Sequence, residues 1–383
     1  MRFNKGGYLP VSEYKICTRC IMDNISSPNI TFDKDGVCCY CHQYDHNVEL
    51  YGYKGKVTDA KLNELVKKIK DDGKGKEYDC ILGISGGVDS AYLAYLATKL
   101  GLRVLAVHVD AGWNTETAVD NIQKICKKLN IDLHTIVVDW PSMKELQRAY
   151  MFSGLPNLDV PQDHAFLAGV YQYTKKEHIK YMLNGSNLAT EGILPENFGH
   201  PAIDLRHIKS VYKKCGRGKK IFDKYPHFSL PYYYYMQKTV TRVNLLNYIP
   251  YSKKEAIHTL KKEFDWNYYG EKHFESRFTK FFQSYYLPQK FHFEKKRAHL
   301  SSLIVGGEMT RENALFEIRN NSAYPLEKMI EDRDYIIKKL DISLEEWEKI
   351  MNSPIIPDNE YRGNAKVIKH LSNVKQYLAK RNY

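Results

Sequence analysis

Four cysteines near the amino terminus have the spacing of a metal site. They form two pairs, Cys17-Thr-Arg-Cys20 and Cys38-Cys-Tyr-Cys41. Each pair can supply two thiolates from one tight turn, and four thiolates close a tetrahedron around a structural zinc ion. We therefore predict Zn²⁺ bound by Cys17, Cys20, Cys38 and Cys41, with an iron–sulfur cluster or free thiols as the alternatives.

Two neighbouring residues could change this ligand set. Cys39 could replace Cys38, but Cys38 keeps the two-residue spacing to Cys41. His42 is a further candidate ligand, although a surface histidine is the simpler interpretation. Because metal binding can stabilise a segment that lacks a hydrophobic core of its own, we expect a small zinc-ribbon-like domain here.

A second chemically distinctive stretch is Ser85-Gly-Gly-Val-Asp-Ser90, which follows the apolar run 78–84. Apolar residues at helical spacing follow it, so the stretch joins a buried strand to the amino terminus of a helix. The unpaired N–H groups and the positive dipole at that end favour a polyphosphate. Gly86 and Gly87 would let the backbone approach the phosphates, and the two serines would donate hydroxyl groups.

Asp89 is the unusual member of this turn. A carboxylate beside phosphates is repelled unless a cation lies between them, so we predict that Asp89 ligates Mg²⁺, directly or through water. The alternative is an ordinary turn in which Asp89 or Ser90 caps the helix, but a cap does not require both glycines and both hydroxyl groups. The Walker phosphate-binding motif is absent from the chain.

The elements around the turn predict an α/β fold with a doubly wound parallel sheet. Further strands are expected at 103–110, 132–139 and 181–187, with helices at 115–129 and 142–150. Ligands of such sheets bind at the carboxyl ends of the strands. Asp110 and Asp139 lie at such ends, where either could instead cap the following helix.

Polar residues also follow the strand at 181–187. Asn184, Ser186, Asn187 and Glu191 would gather near the same sheet edge, although turn formation alone could explain them. We therefore predict Asp89 and Ser90 as catalytic residues. The predicted nucleotide-binding residues are Ser85, Gly86, Gly87, Asp89, Ser90, Asp110, Gly185, Asn187 and Glu191.

The stretch Ser85-Gly-Gly-Val-Asp-Ser90 resembles the signature turn of the PP-loop ATP pyrophosphatases, an adenine nucleotide alpha-hydrolase-like group. That resemblance implies cleavage of ATP between its α and β phosphates. It also implies activation of a carbonyl-type oxygen as its adenylate.

Further stretches narrow the resemblance. They are Cys17-Thr-Arg-Cys-Ile-Met-Asp23, Thr31-Phe-Asp-Lys-Asp-Gly-Val-Cys38, Gly185-Ser-Asn-Leu-Ala-Thr-Glu-Gly192 and Lys290-Phe-His-Phe-Glu-Lys-Lys-Arg-Ala-His-Leu-Ser-Ser302. With the glycine turn, they make the chain from about residue 14 to about residue 320 resemble the N-acetyl sugar amidotransferases of bacterial surface-polysaccharide and nonulosonic-acid biosynthesis. Lys290, which begins the last stretch, is our remaining catalytic candidate.

This resemblance implies that an acetamido group on a nucleotide-linked or related sugar becomes an acetamidino group, as in lipopolysaccharide O-antigen biosynthesis. ATP would adenylate the amide oxygen with release of pyrophosphate, and ammonia would then displace AMP. Adenylation makes that oxygen a leaving group, so the enzyme's task is to hold the reactants together away from water.

Ammonia needs a source. The chain lacks a G-x-C-x-G nucleophile turn with plausible histidine and glutamate partners, and Cys215 has a different context. We therefore expect a separate class I glutaminase subunit, as the resemblance also implies.

Composition is compatible with a cytoplasmic protein that binds anions. The chain has 57 Lys and Arg against 45 Asp and Glu, a net charge of +12, although dispersed charge without a ligand explains this equally well. No apolar stretch approaches the ~18 residues of a membrane span, and the first residues lack the apolar core of a signal peptide.

The carboxyl-terminal half is expected to be mainly helical. Two basic groups there could bind sugar, phosphate or the glutaminase, or could form solvated helix faces: Lys272, His273, Arg277 and Lys280, and Lys295, Lys296, Arg297 and His299. The predicted organisation is a zinc-ribbon-like domain at 1–50, a helical linker at 51–77, a PP-loop domain at 78–205 and a substrate or partner domain at 206–383.

The main alternative function is that of a tRNA-thiolating or other tRNA-modifying PP-loop enzyme. A zinc ribbon and a basic chain suit RNA binding. Sulfur transfer, however, usually requires cysteines near the ATP site, whereas Cys80, Cys126 and Cys215 are isolated. A non-enzymatic zinc-ribbon scaffold is a third alternative, disfavoured because the glycine turn keeps every polar member.

Overall fold

A parallel sheet lies at the centre of the computed structural model, which describes residues 13–195, 198–270, 272–320 and 324–381. The five strands run in the order β3-β2-β1-β4-β5. They are β1 (Cys80–Gly83), β2 (Val104–Asp110), β3 (Asp132–Val137), β4 (Tyr181–Leu183) and β5 (Thr241–Val243). The predicted α/β fold is therefore confirmed, and β5 is an additional strand that the sequence analysis did not predict.

The first of the helices described before β5 contains Cys41, and most of the others flank or connect the strands. These helices are α1 (Cys39–Tyr51), α2 (Asp59–Asp72), α3 (Val88–Lys99), α4 (Glu116–Leu129), α5 (Trp140–Met151), α6 (Val160–Lys176), α7 (Leu188–Glu191), α8 (Leu205–Cys215) and α9 (Leu230–Thr239).

The carboxyl-terminal region is helical, as predicted. Its helices are α10 (Lys253–Phe264), α11 (Arg277–Phe281), α12 (Lys295–Val305), α13 (Arg311–Asn320), α14 (Leu326–Lys339), α15 (Leu344–Asn352) and α16 (Ala365–Arg381). A π-helical segment, Phe282–Phe291, joins α11 to the turn before α12. None of the helices within the described ranges is long and apolar enough to cross a membrane.

The sheet is buried on both faces. Along β1, Ile81 packs into one hydrophobic cluster, whereas Cys80 and Leu82 pack into a second. Leu105 and Ala106 of β2 divide between the two clusters in the same way. Because successive side chains of a strand point to opposite faces, this division places helices and their apolar residues on each side of the sheet.

From β1 the chain adds β2 and β3 on one side of the sheet and then β4 and β5 on the other, so β1 and β4 are neighbours. In an open α/β sheet the connections on the two sides of such a point diverge, and a crevice forms beyond the carboxyl ends of the strands. The glycine turn follows β1 and residues 184–191 follow β4. The fold therefore brings two of the predicted polar segments to one crevice.

The strand predicted at 181–187 is shorter in the structure, where β4 ends at Leu183. Asn187 then caps α7, since its side chain accepts a hydrogen bond from Thr190 N at 2.9 Å. Side chains that satisfy the backbone locally in this way compete with the ladder of a strand. Residues 184–187 are consequently a loop at the end of the sheet.

Candidate active site

A cavity of about 430 Å³ lies beyond the carboxyl ends of β1, β2 and β4. It is large enough for a nucleotide together with part of a second substrate. The polar residues that line it come from five parts of the chain: Ser85, Asp89 and Ser90; His108 and Asn114; Asn157, Asp159, Gln162 and Asp163; Asn184, Ser186, Glu191 and Arg242; and Lys253, Lys272, His273, Glu275, Ser276, Thr279, Gln283 and Lys295.

The glycine turn is ordered by its own hydroxyl groups. Ser90 Oγ accepts a hydrogen bond from Ser85 N at 3.2 Å, and Ser85 Oγ accepts one from Gly87 N at 3.3 Å. Gly87 stands at the N-cap of α3, where no side chain provides a capping hydrogen bond. The first N–H groups of α3 thus lie beside the cavity at the positive end of the helix, which is the environment that anions prefer.

Gly86 is required by the backbone of this turn. Its φ is +81°, a left-handed conformation that favours glycine, and an added Cβ would collide with Ala118 O. The carbonyl of Gly86 accepts a hydrogen bond from Trp266 Nε1 at 3.2 Å. The turn is therefore held from behind by α4 and by a tryptophan of the carboxyl-terminal half.

Asp89 and Glu191 share one cation. Lys272 Nζ lies 3.0 Å from Asp89 Oδ2 and 2.9 Å from Glu191 Oε1, and it also lies 3.0 Å from Thr190 Oγ1. Burial opposes the charge of Asp89, but Lys272 and a hydrogen bond from the Tyr251 hydroxyl hold the pKa of Asp89 below its ordinary value. Likewise, the two carboxylates raise the pKa of Lys272 despite its burial.

The Asp89 and Glu191 carboxylates fit a divalent cation as well as an ammonium group. Their oxygens converge on one position beside the glycine turn, and both side chains keep some exposure to the cavity, 22% for Asp89 and 32% for Glu191. Carboxylate oxygens of this kind are the ligands that Mg²⁺ prefers, usually together with water and phosphate oxygens.

Glu275 is a functional candidate that the sequence analysis missed. It lines the cavity close to Gly87, and its Oε2 has no hydrogen-bond partner in the described part of the chain. Burial raises the pKa of Glu275 to about 7. Glu275 can therefore take up or release a proton near neutral pH.

A second acidic pair lies on the other wall of the lining, at the start of α6. Burial, reinforced by the Asp163 charge, raises the pKa of Asp159 to about 8, and burial raises the pKa of Asp163 to about 6. The charge of Lys295 partly opposes both shifts. Two aspartates one helical turn apart at the start of an otherwise apolar helix were the sequence signal that could have revealed this pair.

The predicted nucleotide-binding residues are not all at the cavity. Ser85, Gly87, Asp89, Ser90, Gly185 and Glu191 line it, whereas Asp110, Asn187 and Gly86 do not. Asp110 accepts hydrogen bonds from Gly112 N at 2.7 Å and Asn114 Nδ2 at 3.0 Å, so it orders the loop after β2. Asp139, the other strand-end carboxylate, caps α5 through Ser142 N at 3.0 Å.

The structure places Lys290 outside the cavity, which corrects our choice of catalytic lysine. Its ammonium donates to Ile350 O, to Ser353 O at 3.0 Å and to Ser353 Oγ at 2.8 Å. These acceptors lie at the carboxyl end of α15, where backbone carbonyls lack partners within the helix. Lys290 therefore secures a helix end, and the lysines that line the candidate site are Lys253, Lys272 and Lys295.

The four predicted cysteines meet in one cluster, and Cys38 belongs to it instead of Cys39. Sγ separations are 3.9 Å for Cys17 and Cys41, 3.7 Å for Cys20 and Cys38, and 3.7 Å for Cys38 and Cys41. Tetrahedral ligands about 2.3 Å from zinc are about 3.8 Å apart, so these separations fit such an ion. His42 instead pairs with Asp33 at the surface.

The cysteine cluster supports the candidate active site through two helices. Arg311 of α13 donates to Cys17 O and Cys20 O, both at 3.0 Å. Ser302 Oγ of α12 accepts a hydrogen bond at 3.0 Å from Ile193 N, two residues after Glu191 at the end of α7. The cluster is thus fastened to the same helices that position one wall of the cavity.

Two family models match parts of this chain. Residues 275–375 match the model described as the C-terminal domain of LPS biosynthesis protein WbpG-like, and residues 60–223 match the model described as NAD synthase. The second match includes the glycine turn, and the first includes Glu275 and Lys295.

Curated relatives match only portions of the sequence. An uncharacterized protein, MJ1599, of Methanocaldococcus jannaschii is 27% identical over 194 residues, which is 49% of this chain and 61% of that protein. A glutamine-hydrolyzing GMP synthase of Thermosipho africanus is 29% identical over 146 residues, which is 34% of this chain and 26% of that protein. The chain thus spans less than two thirds of the length of either relative.

Among solved structures, a tRNA thiolase, NcsA, of Methanococcus maripaludis with its iron–sulfur cluster aligns with a TM-score of 0.32 and 15% identity. That alignment covers 82% of this chain and 95% of the thiolase.

The matched regions and the site geometry agree with the resemblance seen in the sequence. PP-loop proteins of this type bind ATP with Mg²⁺ and act as ligase- or synthetase-type enzymes. The chain therefore combines a PP-loop domain of the NAD synthase type with a WbpG-like C-terminal domain, a combination consistent with the WbpG-like family.

Proposed function

We propose that this protein is an ATP-dependent, ammonia-using amidotransferase of surface-polysaccharide biosynthesis. It would convert an acetamido group of a sugar, nucleotide-linked or closely related, into an acetamidino group, with release of AMP and pyrophosphate. Such an enzyme would act in the cytoplasm, where ATP and nucleotide-sugars are available.

One observation carries this proposal. Glu275, Thr279 and Lys295 belong to the region that matches the WbpG-like domain, and they line the same cavity as the glycine turn of the PP-loop domain. The region that matches the WbpG-like domain thus contributes to the cavity beside the glycine turn. This arrangement supports a sugar as the second substrate.

The glycine turn would hold the phosphates of ATP. Ser85, Gly87, Val88 and Ser90 line the cavity, and their N–H and hydroxyl groups would donate to the phosphates. Asp89 and Glu191 would hold Mg²⁺, which supplies neutralisation of the phosphate charge when it is bound. The ammonium group of Lys272 lies between the two carboxylates in the structure. When Mg²⁺ takes that position, Lys272 would instead contact a phosphate oxygen.

The reaction needs groups that accept protons. The acetamido nitrogen loses its proton when the oxygen is adenylated, and the attacking nitrogen loses a proton as AMP leaves. Glu275 suits one of these transfers, because it lines the cavity with an unpartnered oxygen and its pKa of about 7 balances proton uptake and release. No covalent enzyme intermediate is required, since the adenylate itself is the activated species.

Ammonia would come from a separate class I glutaminase subunit. The matched GMP synthase is glutamine-hydrolyzing by name, and this chain aligns with 26% of that protein. We propose that the corresponding glutaminase is a partner chain here. Free ammonium would replace it in an assay.

Zn²⁺ is the ion we propose for the cysteine cluster. Four buried thiolates at tetrahedral separations leave no open position for water, so the role of the ion would be structural. The bound ion would secure α12 and α13 against the amino-terminal segment.

The alternative, a tRNA-thiolating enzyme, would require a feature that the cavity lacks. Thiolation calls for a cysteine close to the activated base, yet no cysteine of the described residues lines the cavity. Cys80 is buried in β1, Cys126 is buried in α4, and Cys215 contacts the Tyr361 hydroxyl at 3.5 Å.

The test is an ATP-cleavage assay with purified protein and ammonium chloride. A panel of acetamido nucleotide-sugars, their free sugars and bulk tRNA would be supplied separately, and AMP and pyrophosphate would be quantified. We expect release only with a sugar, accompanied by the mass change of replacing an oxygen atom with an NH group. Release of AMP only with tRNA would overturn the proposal in favour of the alternative.

A further inference from the structure

A second cluster of potential metal ligands lies behind the cavity and is independent of the proposed reaction. It consists of His200, His207 and Asp358, whose candidate ligand atoms lie within 4.8 Å of one another. His200 precedes α8, and His207 lies in its first turn. Asp358 begins a short 3₁₀ helix, Asp358–Glu360. None of these residues was singled out from the sequence.

Hydrogen bonding within the cluster is incomplete. His200 is satisfied at both nitrogens, with Nδ1 2.7 Å from Asp358 Oδ2 and Nε2 3.0 Å from Asp204 Oδ2. His207 Nδ1 contacts the Tyr150 hydroxyl at 3.1 Å. His207 Nε2 is completely buried and lies 3.3 Å from Asp358 Oδ1, but no partner in the described part of the chain meets it with the geometry of a hydrogen bond. A buried polar atom without a partner is costly, and a ligand would relieve that cost.

A cavity of about 160 Å³ is lined by all three residues. Such a space accommodates an ion and a water molecule. We propose that His200, His207 and Asp358 bind a divalent transition-metal ion, with Zn²⁺ preferred by two imidazole nitrogens and one carboxylate oxygen. The fourth position would be taken by water from the cavity.

The surroundings resemble those of established histidine metal sites. Asp204 accepts from the far nitrogen of His200, and the Tyr150 hydroxyl contacts the far nitrogen of His207. Partners of this kind fix the tautomer and orientation of a ligating imidazole. The rings now stack at an interplanar angle of 13°, with centroids 3.6 Å apart, so ion binding requires them to tilt. Both rings line the smaller cavity.

The site would connect distant parts of the chain. Asp204 also accepts a hydrogen bond from Asn364 Nδ2 at 2.9 Å, so the carboxyl-terminal segment already approaches α8 here. Asn157 lines both this cavity and the larger one. The ion would therefore brace the loop that leads to Asp159 in the candidate active site.

The test compares zinc content in matched variants of the full chain. Wild type, Asp358→Ala and the control Asp334→Ala would be equilibrated with Zn²⁺, desalted and measured by inductively coupled plasma mass spectrometry. Asp358 and Asp334 are both substantially exposed, with 46% and 52% of the side chain accessible. We expect Asp358→Ala to lose one equivalent of zinc per chain and Asp334→Ala to match wild type.

Two further variants separate the metal sites. His207→Gln should lose the same equivalent as Asp358→Ala, whereas Cys17→Ser should retain it while losing the ion of the cysteine cluster. Equal zinc content in wild type and Asp358→Ala would overturn the proposal and leave His200 as an ion-pairing residue between Asp204 and Asp358. Because Asp358 is exposed, this comparison remains decisive if His207→Gln does not fold.

Discussion

The glycine turn and the carboxyl-terminal residues Lys272, Glu275 and Lys295 line one cavity but are positioned in different ways. The turn lies between β1 and α3, so its geometry depends mainly on neighbours in sequence and on one glycine with positive φ. The carboxyl-terminal residues approach from segments more than 180 positions away, as the ion pair of Lys272 with Asp89 shows.

This difference explains why one side of the site was recognisable as a motif and the other was not. A strand, a glycine turn and a helix start form a local unit whose residue types are set by backbone geometry and phosphate chemistry. The long-range side has no fixed spacing, because its contacts depend on how α10 packs against α3 and how α12 packs against α7. If both sides are needed, substitutions on either should disable the enzyme.

The largest effect is expected for Asp89→Ala, on the local side. Removal of this carboxylate takes away the cation site beside the phosphates, and we expect AMP release to fall by about 10²- to 10³-fold. Zinc content should not change. Asp120→Ala, at an exposed pair with Lys124, is the control. Unchanged turnover of Asp89→Ala would contradict the Mg²⁺ role.

A comparable loss on the long-range side is expected for Lys272→Met. Methionine keeps the length of the side chain but removes the cation between Asp89 and Glu191. We expect kcat/KM for ATP to fall by about 100-fold, which steady-state kinetics of pyrophosphate release would measure. A decrease in kcat/KM of less than twofold would show that the glycine turn alone is sufficient for ATP use.

The cysteine cluster should affect stability more than chemistry. Cys17→Ser removes one thiolate of four, so we expect lower zinc content and a decrease in Tm of about 5 °C or more. Differential scanning fluorimetry and metal analysis measure the two quantities. Cys39→Ser, at the neighbouring cysteine outside the cluster, should change neither of them. Full zinc content in Cys17→Ser would exclude the assigned ligand set.

Lys290→Met offers a direct contrast with Lys272→Met. It leaves carbonyls at the end of α15 without their donor, which we expect to cost about 1–3 kcal/mol of unfolding free energy. Activity per folded molecule should stay within twofold of wild type when measured well below Tm. A specific loss of kcat with an unchanged Tm would restore Lys290 as a catalytic residue.

The smallest effect concerns pH. The pKa of Asp159 is raised from 3.8 to about 8, so its protonated form stabilises the folded state fully below pH 3.8, and that contribution is lost as pH rises through about 8. The Tm of Asp159→Asn relative to that of wild type should therefore increase between pH 3.5 and pH 8.5, by about 2 °C or more in total. A difference in Tm that does not change with pH would contradict the raised pKa.

Much of the fold followed from local patterns. The sheet strands through β4, the helices α3, α4 and α5 and the helical carboxyl-terminal region all have apolar residues at the spacing of their elements. The cysteine pairs predicted their cluster equally well, because a tetrahedral thiolate site restricts both the residue type and the spacing within each pair. Strand β5, only three residues long and without an alternating apolar pattern, had no comparable signal.

The sequence by itself determined the glycine turn at a strand-to-helix junction, the parallel sheet that carries it and the four-cysteine cluster. Only the tertiary structure decided that Lys272 neutralises Asp89, that Glu275 and Asp159 lie in the cavity, and that Lys290 does not. The physical reason is the sequence separation of the residues that form each feature. Backbone geometry and metal coordination impose short, fixed spacings, whereas burial and ion pairing depend on which distant segments pack together.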